Sequence, residues 1–167
     1  MRSWKILDVK KFMNILLGTA GFDHFLLSEA AITGGVSYTI DGHLTEDFYS
    51  QEELENMGLG GQRCVRFGQV RSLCFDMIKG KRTPKKFSFV FLADDETIAG
   101  LFAQGSIPGR WEDVANLSLN IRYQNGELYF TSSCTWRTFT MDRSLETAWE
   151  QQILGMFQKL EIALEEL

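Results

Sequence analysis

The sequence predicts an α+β protein in which antiparallel β-hairpins are packed by amphipathic helices. Asn125-Gly126 stands between two stretches that alternate apolar and polar residues, which is the strongest short-range signal of a hairpin. Elsewhere apolar residues recur at helical spacing, as in Val9, Phe12 and Met13. A chain of 167 residues is also long enough to bury a core without disulfides or a metal.

The first predicted elements are a strand and a helix. Residues 4–7 are typical of a short strand, and Asp8 can accept hydrogen bonds from the first free amides of the helix. Gly18 and Gly21 end that helix. The remaining elements of the first half are, in chain order, a strand over 22–33, a turn at Gly34-Gly35, a strand over 36–40, a strand over 43–48, a short helix with capping-box spacing between Ser50 and Glu53, and a helix carrying Phe67, Val70, Cys74, Met77 and Ile78 at helical spacing. Phe67 and Phe75 of that helix are expected in the core.

The second half repeats this order of elements. Residues 87–92 have the apolar character of a central strand, and Asp94 or Asp95 can cap the helix that follows. The next element is the hairpin, whose register follows from its turn. Counting outward pairs Tyr123 with Leu128, Ile121 with Phe130 and Leu119 with Ser132 on one face, and Arg122 with Tyr129 and Asn120 with Thr131 on the other.

A long helix is predicted from about Asp142, with an apolar face that extends to Leu164. The order of elements is then strand, helix, hairpin and helix, twice. We therefore predict a single domain over residues 1–167 whose halves, 3–86 and 87–167, are a diverged duplication supported by element order alone. These halves form either two small sheets or one shared sheet.

Positive charge is concentrated in one segment of an otherwise acidic chain. The segment 63–86 holds eight of the 17 basic residues and one acidic residue, a net charge of +7. The rest of the chain carries −12, which gives −5 overall. The candidate anion-binding and nucleic-acid-binding residues are Arg63, Arg66, Arg71, Lys79, Lys81, Arg82, Lys85 and Lys86.

This segment has two interpretations. In the first, its cations contact the phosphates of a nucleic acid or another polyanion. In the second, they form a solvated face, in which lysines near a helix C-terminus meet the helix dipole and the acidic last helix pairs with them.

No catalytic residue, metal site or cofactor is predicted. His24 and His43 have no partner ligands at a metal-binding spacing. The three cysteines form no C-x-x-C pair, so free thiols in a reducing cytosol are expected. A Cys–His nucleophile pair could still assemble in space from Cys64, Cys74 or Cys134. The N-terminus lacks a signal peptide and no window approaches 18 consecutive apolar residues, so we predict a cytoplasmic protein without a membrane partner.

Two resemblances extend this interpretation. Through the stretches "KILDVKKFMNILL", "FDHFLLSEAAIT", "YTIDGHL" and "CFDMIKGKRTPKKFSFVFL", the chain resembles an uncharacterised bacterial family, typical of clostridial Firmicutes and known only as a domain of unknown function. That family implies no activity and no catalytic residues. In element order, both halves also resemble the repeat unit of DNA sliding clamps, and "VRSLCFDMIKGKRTPKKFSFVFLAD" is similar in character to the second clamp helix and the strand after it. This resemblance implies a clamp-like fold, and several copies would be needed to encircle DNA.

Three functions are consistent with these observations. The first is a non-catalytic binding or assembly module of the bacterial cytoplasm that self-associates, as a homodimer, through open sheet edges or apolar patches. The second is a clamp-like protein associated with nucleic acid through the basic segment. The third is an enzyme of unrecognised type, which requires a pocket with converging titratable groups near Cys64 or His24.

Overall fold

The computed structural model describes residues 2–167, and within them the chain forms five α-helices and one eight-stranded sheet. The helices are α1 (Val9–Gly18), α2 (Gln51–Asn56), α3 (Phe67–Ile78), α4 (Asp95–Gln104) and α5 (Ser144–Lys159). The strands are β1 (Ser3–Ile6), β2 (Leu26–Thr33), β3 (Ser37–Asp41), β4 (Val65–Arg66), β5 (Lys86–Leu92), β6 (Val114–Gln124), β7 (Glu127–Trp136) and β8 (Leu164–Glu166). The predicted α+β class is confirmed.

The sheet is shared by both halves of the chain. Its strand order is β3-β2-β5-β6-β7-β1-β8, with β4 paired to β2, and every pairing is antiparallel. The predicted register of the β6–β7 hairpin is confirmed at all five pairs. Asn125 and Gly126 both have positive φ, as a type I′ turn requires. This hairpin is therefore set by its own turn.

The core lies between the helices and one face of the sheet. Successive residues of a strand point to opposite faces, so Phe87, Phe89 and Phe91 of β5 all enter this core and are almost fully buried. The Phe22 ring meets that of Phe157 of α5 edge to face at 5.9 Å. Such edge-to-face pairs contribute about 0.5–1.5 kcal/mol beyond their burial. A cluster of aromatic rings thus fixes the helices on the sheet.

A second, smaller cluster covers part of the opposite face. Leu26, Leu59 and Cys64 are buried together there under the segment 42–64, which contains α2. Gly42 starts this segment and approaches β2 so closely that an added Cβ would lie 1.7 Å from the Leu27 carbonyl oxygen. Glycine is required at this position for steric reasons.

The predicted extent of the last helix is wrong. The helix α5 ends at Lys159, Glu161 adopts the left-handed conformation with φ 57°, and the amide of Ile162 donates to the Phe157 carbonyl oxygen at 2.9 Å. This is the geometry of a Schellman end, but it uses a glutamate where glycine is usual. Leu164 consequently belongs to β8, which pairs with β1.

Three further expectations differ from the structure. The predicted strand at 43–48 is reduced to one bridge between His43 and Cys64. The strand predicted from Phe22 begins at Leu26, because turns occupy the residues before it. Phe75 was expected in the core but is 46% exposed, since α3 lies at the periphery and buries only Phe67 and Cys74 fully.

Candidate functional site

One face of the sheet carries polar side chains that no helix covers. This uncovered face is formed by alternate residues of the central strands, which are half-buried or exposed: Ser88, Val90, Asn120, Arg122, Tyr129 and Thr131. A depression of about 620 Å³ lies over them and reaches Ser3 and Glu29. Antiparallel sheets commonly leave one face to solvent, so exposure of this face does not by itself indicate a binding site. The charged side chains near the depression are what distinguish it from an ordinary solvated face.

The end of the uncovered face near the β6–β7 turn is positively charged. A groove of about 220 Å³ there is lined by Lys86 and Arg122, with Thr33, Ser88 and Gln124 between and beside them. No acidic residue lines this groove among the residues described. Phosphate oxygens are well matched to two cations flanked by hydroxyl and amide donors.

The basic loop, residues 79–85, lies between α3 and β5 and continues from this groove. The amide of Lys85 donates to the Thr33 carbonyl oxygen at 2.8 Å, which ties the loop to the end of β2. Lys81, Arg82 and Lys85 are exposed, and no ion pair involves them within the described part of the chain. The loop therefore adds unpaired positive charge next to Lys86.

Two of the predicted basic residues are used inside the fold. The Arg66 guanidinium donates to Asp94 at 2.7 Å and also to the His24 carbonyl oxygen. The Arg71 guanidinium donates to Asp23 at 2.8 Å. Both ion pairs are half-buried. Through them the two arginines hold the 23–25 turn against α3 and α4, so their guanidinium groups are not oriented toward the basic loop.

Arg63 and Lys79, two more of the predicted basic residues, also have contacts within the fold. Arg63 donates to the Ala115 carbonyl oxygen at 3.1 Å. Lys79 forms an ion pair with Asp76 at 3.0 Å, one helical turn earlier. Binding by the residues of the basic segment stays a prediction. That prediction did not include Arg122, whose only signal was its place on the wet side of the hairpin.

A separate polar cluster surrounds His24. Asp94 caps α4, as predicted, by accepting from the Thr97 amide at 2.9 Å. Burial alone would raise the pKa of Asp94, but hydrogen bonds from Thr97 and Arg66 outweigh it and keep that pKa below its usual value. Burial lowers the pKa of His24 despite the nearby Asp94 carboxylate, so the imidazole is neutral at pH 7.

The structure brings His43, and not His24, to the buried Cys64. The two residues are directly paired across a β-bridge, and the His43 Nδ1 lies 2.7 Å from the Asp41 carboxylate. Cys64 is nevertheless 1% exposed, and burial raises the pKa of its thiol. A protonated, enclosed thiol does not act as a nucleophile, so this arrangement offers no reaction centre.

Metal binding finds no support in residues 2–167, where no group of three or more His, Cys, Asp or Glu side chains is placed to hold an ion. Nor is any helix of that range long and apolar enough to cross a lipid bilayer.

The fold and this surface define an α+β protein whose antiparallel sheet has α1, α3, α4 and α5 packed on one face. Its second face is polar and partly cationic, and only the segment that contains α2 covers part of it. The chain belongs to a family of unknown function, DUF5721, whose model matches residues 15–165. The predicted resemblance to an uncharacterised family is thus confirmed. No curated protein and no solved structure matches the chain. The similarity to sliding clamps stays a prediction.

Proposed function

We propose that this protein is a binding module without catalytic activity and that the uncovered face of the sheet is its ligand surface. The observation that carries this proposal is the groove lined by Lys86 and Arg122, which has two cations and no carboxylate in a chain with a net charge of −5. Local cations on an otherwise acidic protein attract anions to one place.

The ligand that suits this surface is the phosphate backbone of a single-stranded nucleic acid. The groove and the basic loop together supply five cations without ion-pair partners among the described residues: Lys81, Arg82, Lys85, Lys86 and Arg122. Base stacking has little part in this recognition, because Tyr129 is the one aromatic side chain among the residues that define the uncovered face. Binding through phosphates alone predicts weak dependence on base sequence.

Salt dependence tests this proposal. If all five cations contact phosphates, log Kobs for a fluorescein-labelled oligo(dT) should fall with log[salt] with a slope of about −3.5, measured by fluorescence anisotropy. The double variant Lys86→Ala/Arg122→Ala should reduce the magnitude of that slope by about 1.4. The matched control Lys10→Ala/Arg110→Ala removes two exposed cations away from the groove and should leave the slope unchanged. Absence of binding at low salt would refute the proposal, as would equal slopes for the two variants.

We also propose that the module self-associates. Support comes from β3, a strand at the edge of the sheet, with exposed side chains at Tyr38 in the strand and at Val36 just before it. Exposed apolar residues elsewhere add to this support. Unpaired edges and apolar patches are typical contact surfaces. Light scattering should give the mass of a dimer, and a strict monomer at high concentration would contradict the proposal.

A reducing cytoplasm is the compartment that we propose for the protein. The three cysteines are free thiols, and Cys64 and Cys74 are buried in apolar clusters. Proteins of oxidising compartments more often carry their cysteines as disulfides.

A further inference from the structure

A cleft runs along α5 on the side facing α4. Its part near the start of α5 has a volume of about 840 Å³, and its part near the end of α5 about 470 Å³. Gln104, Gln151 and Gln152 line both parts, so the two are continuous. Near the end of α5 the wall combines an apolar floor with a polar rim. The floor includes Phe25, Trp149, Ile153 and Met156, and the rim includes His24, Asp94 and Lys159.

Gly155 forms part of this wall, and neither its backbone conformation nor its packing requires a glycine. It lies inside α5, where glycine destabilises a helix relative to alanine. A Cβ added to it would meet no atom within 4 Å, and its φ is not in the left-handed region. The missing side chain therefore leaves room in the cleft. Gly100 of α4 is in equally open space but does not line the cleft, which makes it a matched control.

The loop from β7 to α5, residues 137–143, presents two apolar side chains to solvent. We call it the apolar loop. Phe139 is 91% exposed and Met141 is 85% exposed, more than any other large apolar side chain in the described part of the chain. The amide of Arg137 donates to the Asp113 carbonyl oxygen at 2.8 Å, which fixes one end of the loop. Two exposed apolar side chains of this size close together on one loop are typical of a surface that a partner covers.

We infer that the apolar loop of one copy docks in the cleft of a second copy, near Gly155, and that the exchange is reciprocal. The helix α5 has 16 residues and spans about 24 Å, with the loop at its start and Gly155 close to its end. Two copies with antiparallel α5 helices would place each loop over the far end of the other's cleft, as a twofold axis requires. This inference rests on the proposed self-association and assigns the contact to the apolar loop and the α5 cleft rather than to the β3 edge.

Charge complementarity agrees with this arrangement. Asp142 directly follows Met141, and Lys159 lies at the end of the cleft that receives the loop. The two arginines of the loop are used within their own copy: Arg143 pairs with Glu146 of α5 at 3.5 Å, and the Arg137 guanidinium donates to the Glu112 carbonyl oxygen. Lys159 has no ion-pair partner within residues 2–167. The docked loop would bring these opposite charges toward each other.

Sedimentation equilibrium of designed variants tests the inference. Phe139→Ser/Met141→Ser removes the loop's anchors, and Gly155→Leu fills the cleft. Each should raise the dimer Kd about tenfold or more, as the loss of central anchor residues does. Gly100→Leu should leave the Kd unchanged. Circular dichroism should show native secondary structure for all variants, because the changed side chains meet solvent or open space.

A mixing experiment tests the reciprocity. The loop variant keeps an intact cleft and the Gly155→Leu variant keeps an intact loop, so their mixture retains one of the two contacts. It should form a heterodimer at concentrations where each variant alone is monomeric. A dimer insensitive to both variants would overturn this inference and leave self-association standing. A monomeric wild-type protein would overturn both, whereas oligo(dT) binding is measured independently of either result.

Discussion

Replacement of Gly42 by alanine should be among the most damaging single changes in this fold. Gly42 lies where the chain crosses the bulge of β2, between Leu27 and Glu29. Its amide donates to the Ser28 carbonyl oxygen and its own carbonyl oxygen accepts from the Val65 amide, both at 2.9 Å. An added Cβ would lie 1.7 Å from the Leu27 carbonyl oxygen, although real Cβ atoms essentially never approach closer than 3.0 Å. The two backbones must therefore separate by more than 1 Å.

The expected cost follows from what that separation breaks. Two backbone hydrogen bonds contribute about 1 kcal/mol each, and forced overpacking adds at least about 1 kcal/mol. A loss of about 3 kcal/mol lowers the Tm of a chain of this size by about 6–12 °C. The control is Gly35→Ala in the exposed β2–β3 turn, where an added Cβ meets no atom within 4 Å. Thermal melts followed by circular dichroism measure both. A Gly42→Ala protein that melts with the wild type would refute the close approach.

Three further experiments test the Arg66–Asp94 ion pair, the aromatic core and the burial of the thiols. Asp94→Asn keeps a good N-cap but removes the ion pair with Arg66, so urea unfolding at pH 7 should show a loss of about 1–2 kcal/mol. The pKa of Asp94 in the folded protein lies below its ordinary 3.8. The difference in unfolding free energy between wild type and variant should therefore be constant above pH 3.8 and shrink as the pH falls below it. A difference that persists at low pH would contradict the ion pair. Phe157 is fully buried and Phe75 is 46% exposed. Phe157→Ala should therefore lower the free energy of urea unfolding by about 3–5 kcal/mol and Phe75→Ala by under about 1 kcal/mol. Equal losses would contradict the peripheral position of α3. Burial raises the pKa of the Cys74 thiol to about 11. Ellman's reagent should therefore label the native protein slowly at pH 8 and label all three cysteines quickly in denaturant. Fast labelling of the buried thiols in the native protein would contradict their burial.

Features fixed by neighbouring residues were predictable from the sequence. Asp8, Ser50 and Asp94 each cap the helix expected of them, because an N-cap is recognised from a side chain and the amides two or three residues later. The register of the β6–β7 hairpin followed from its turn in the same way. The end of α5 was not predictable, since Glu161 takes a conformation for which the usual signal is glycine.

Features that depend on distant residues were not predictable. The sequence shows one segment with a net charge of +7, but it cannot show that Arg66 and Arg71 are neutralised by Asp94 and Asp23, which lie 28 and 48 positions away. The cationic groove was missed for the same reason. Arg122 reaches it only because β6 pairs with β5. Local charge therefore identified the basic loop, and tertiary pairing decided which cations stay free.

The predicted repeat of strand, helix, hairpin and helix is only approximate, because the first half also contains α2 and β4 and the second half ends in β8. The strand pairings do not follow that order either. The strand β5 lies beside β2, the first strand of the earlier hairpin, whereas β1 lies between β7, the second strand of the later hairpin, and β8. Order along a chain restricts pairing without fixing it, so the duplication stays a prediction.

These pairings make each half depend on the other. In residues 1–86, β1 has neither of its partner strands, and in residues 87–167, β5 loses its pairing with β2. Backbone groups left unpaired beside an exposed aromatic core destabilise a fragment strongly. We therefore expect each separate fragment to lack stable structure by circular dichroism, and an equimolar mixture to regain the spectrum and cooperative melting of the intact chain. A fragment that folds alone with a cooperative melt would show that the shared sheet is not the unit of stability.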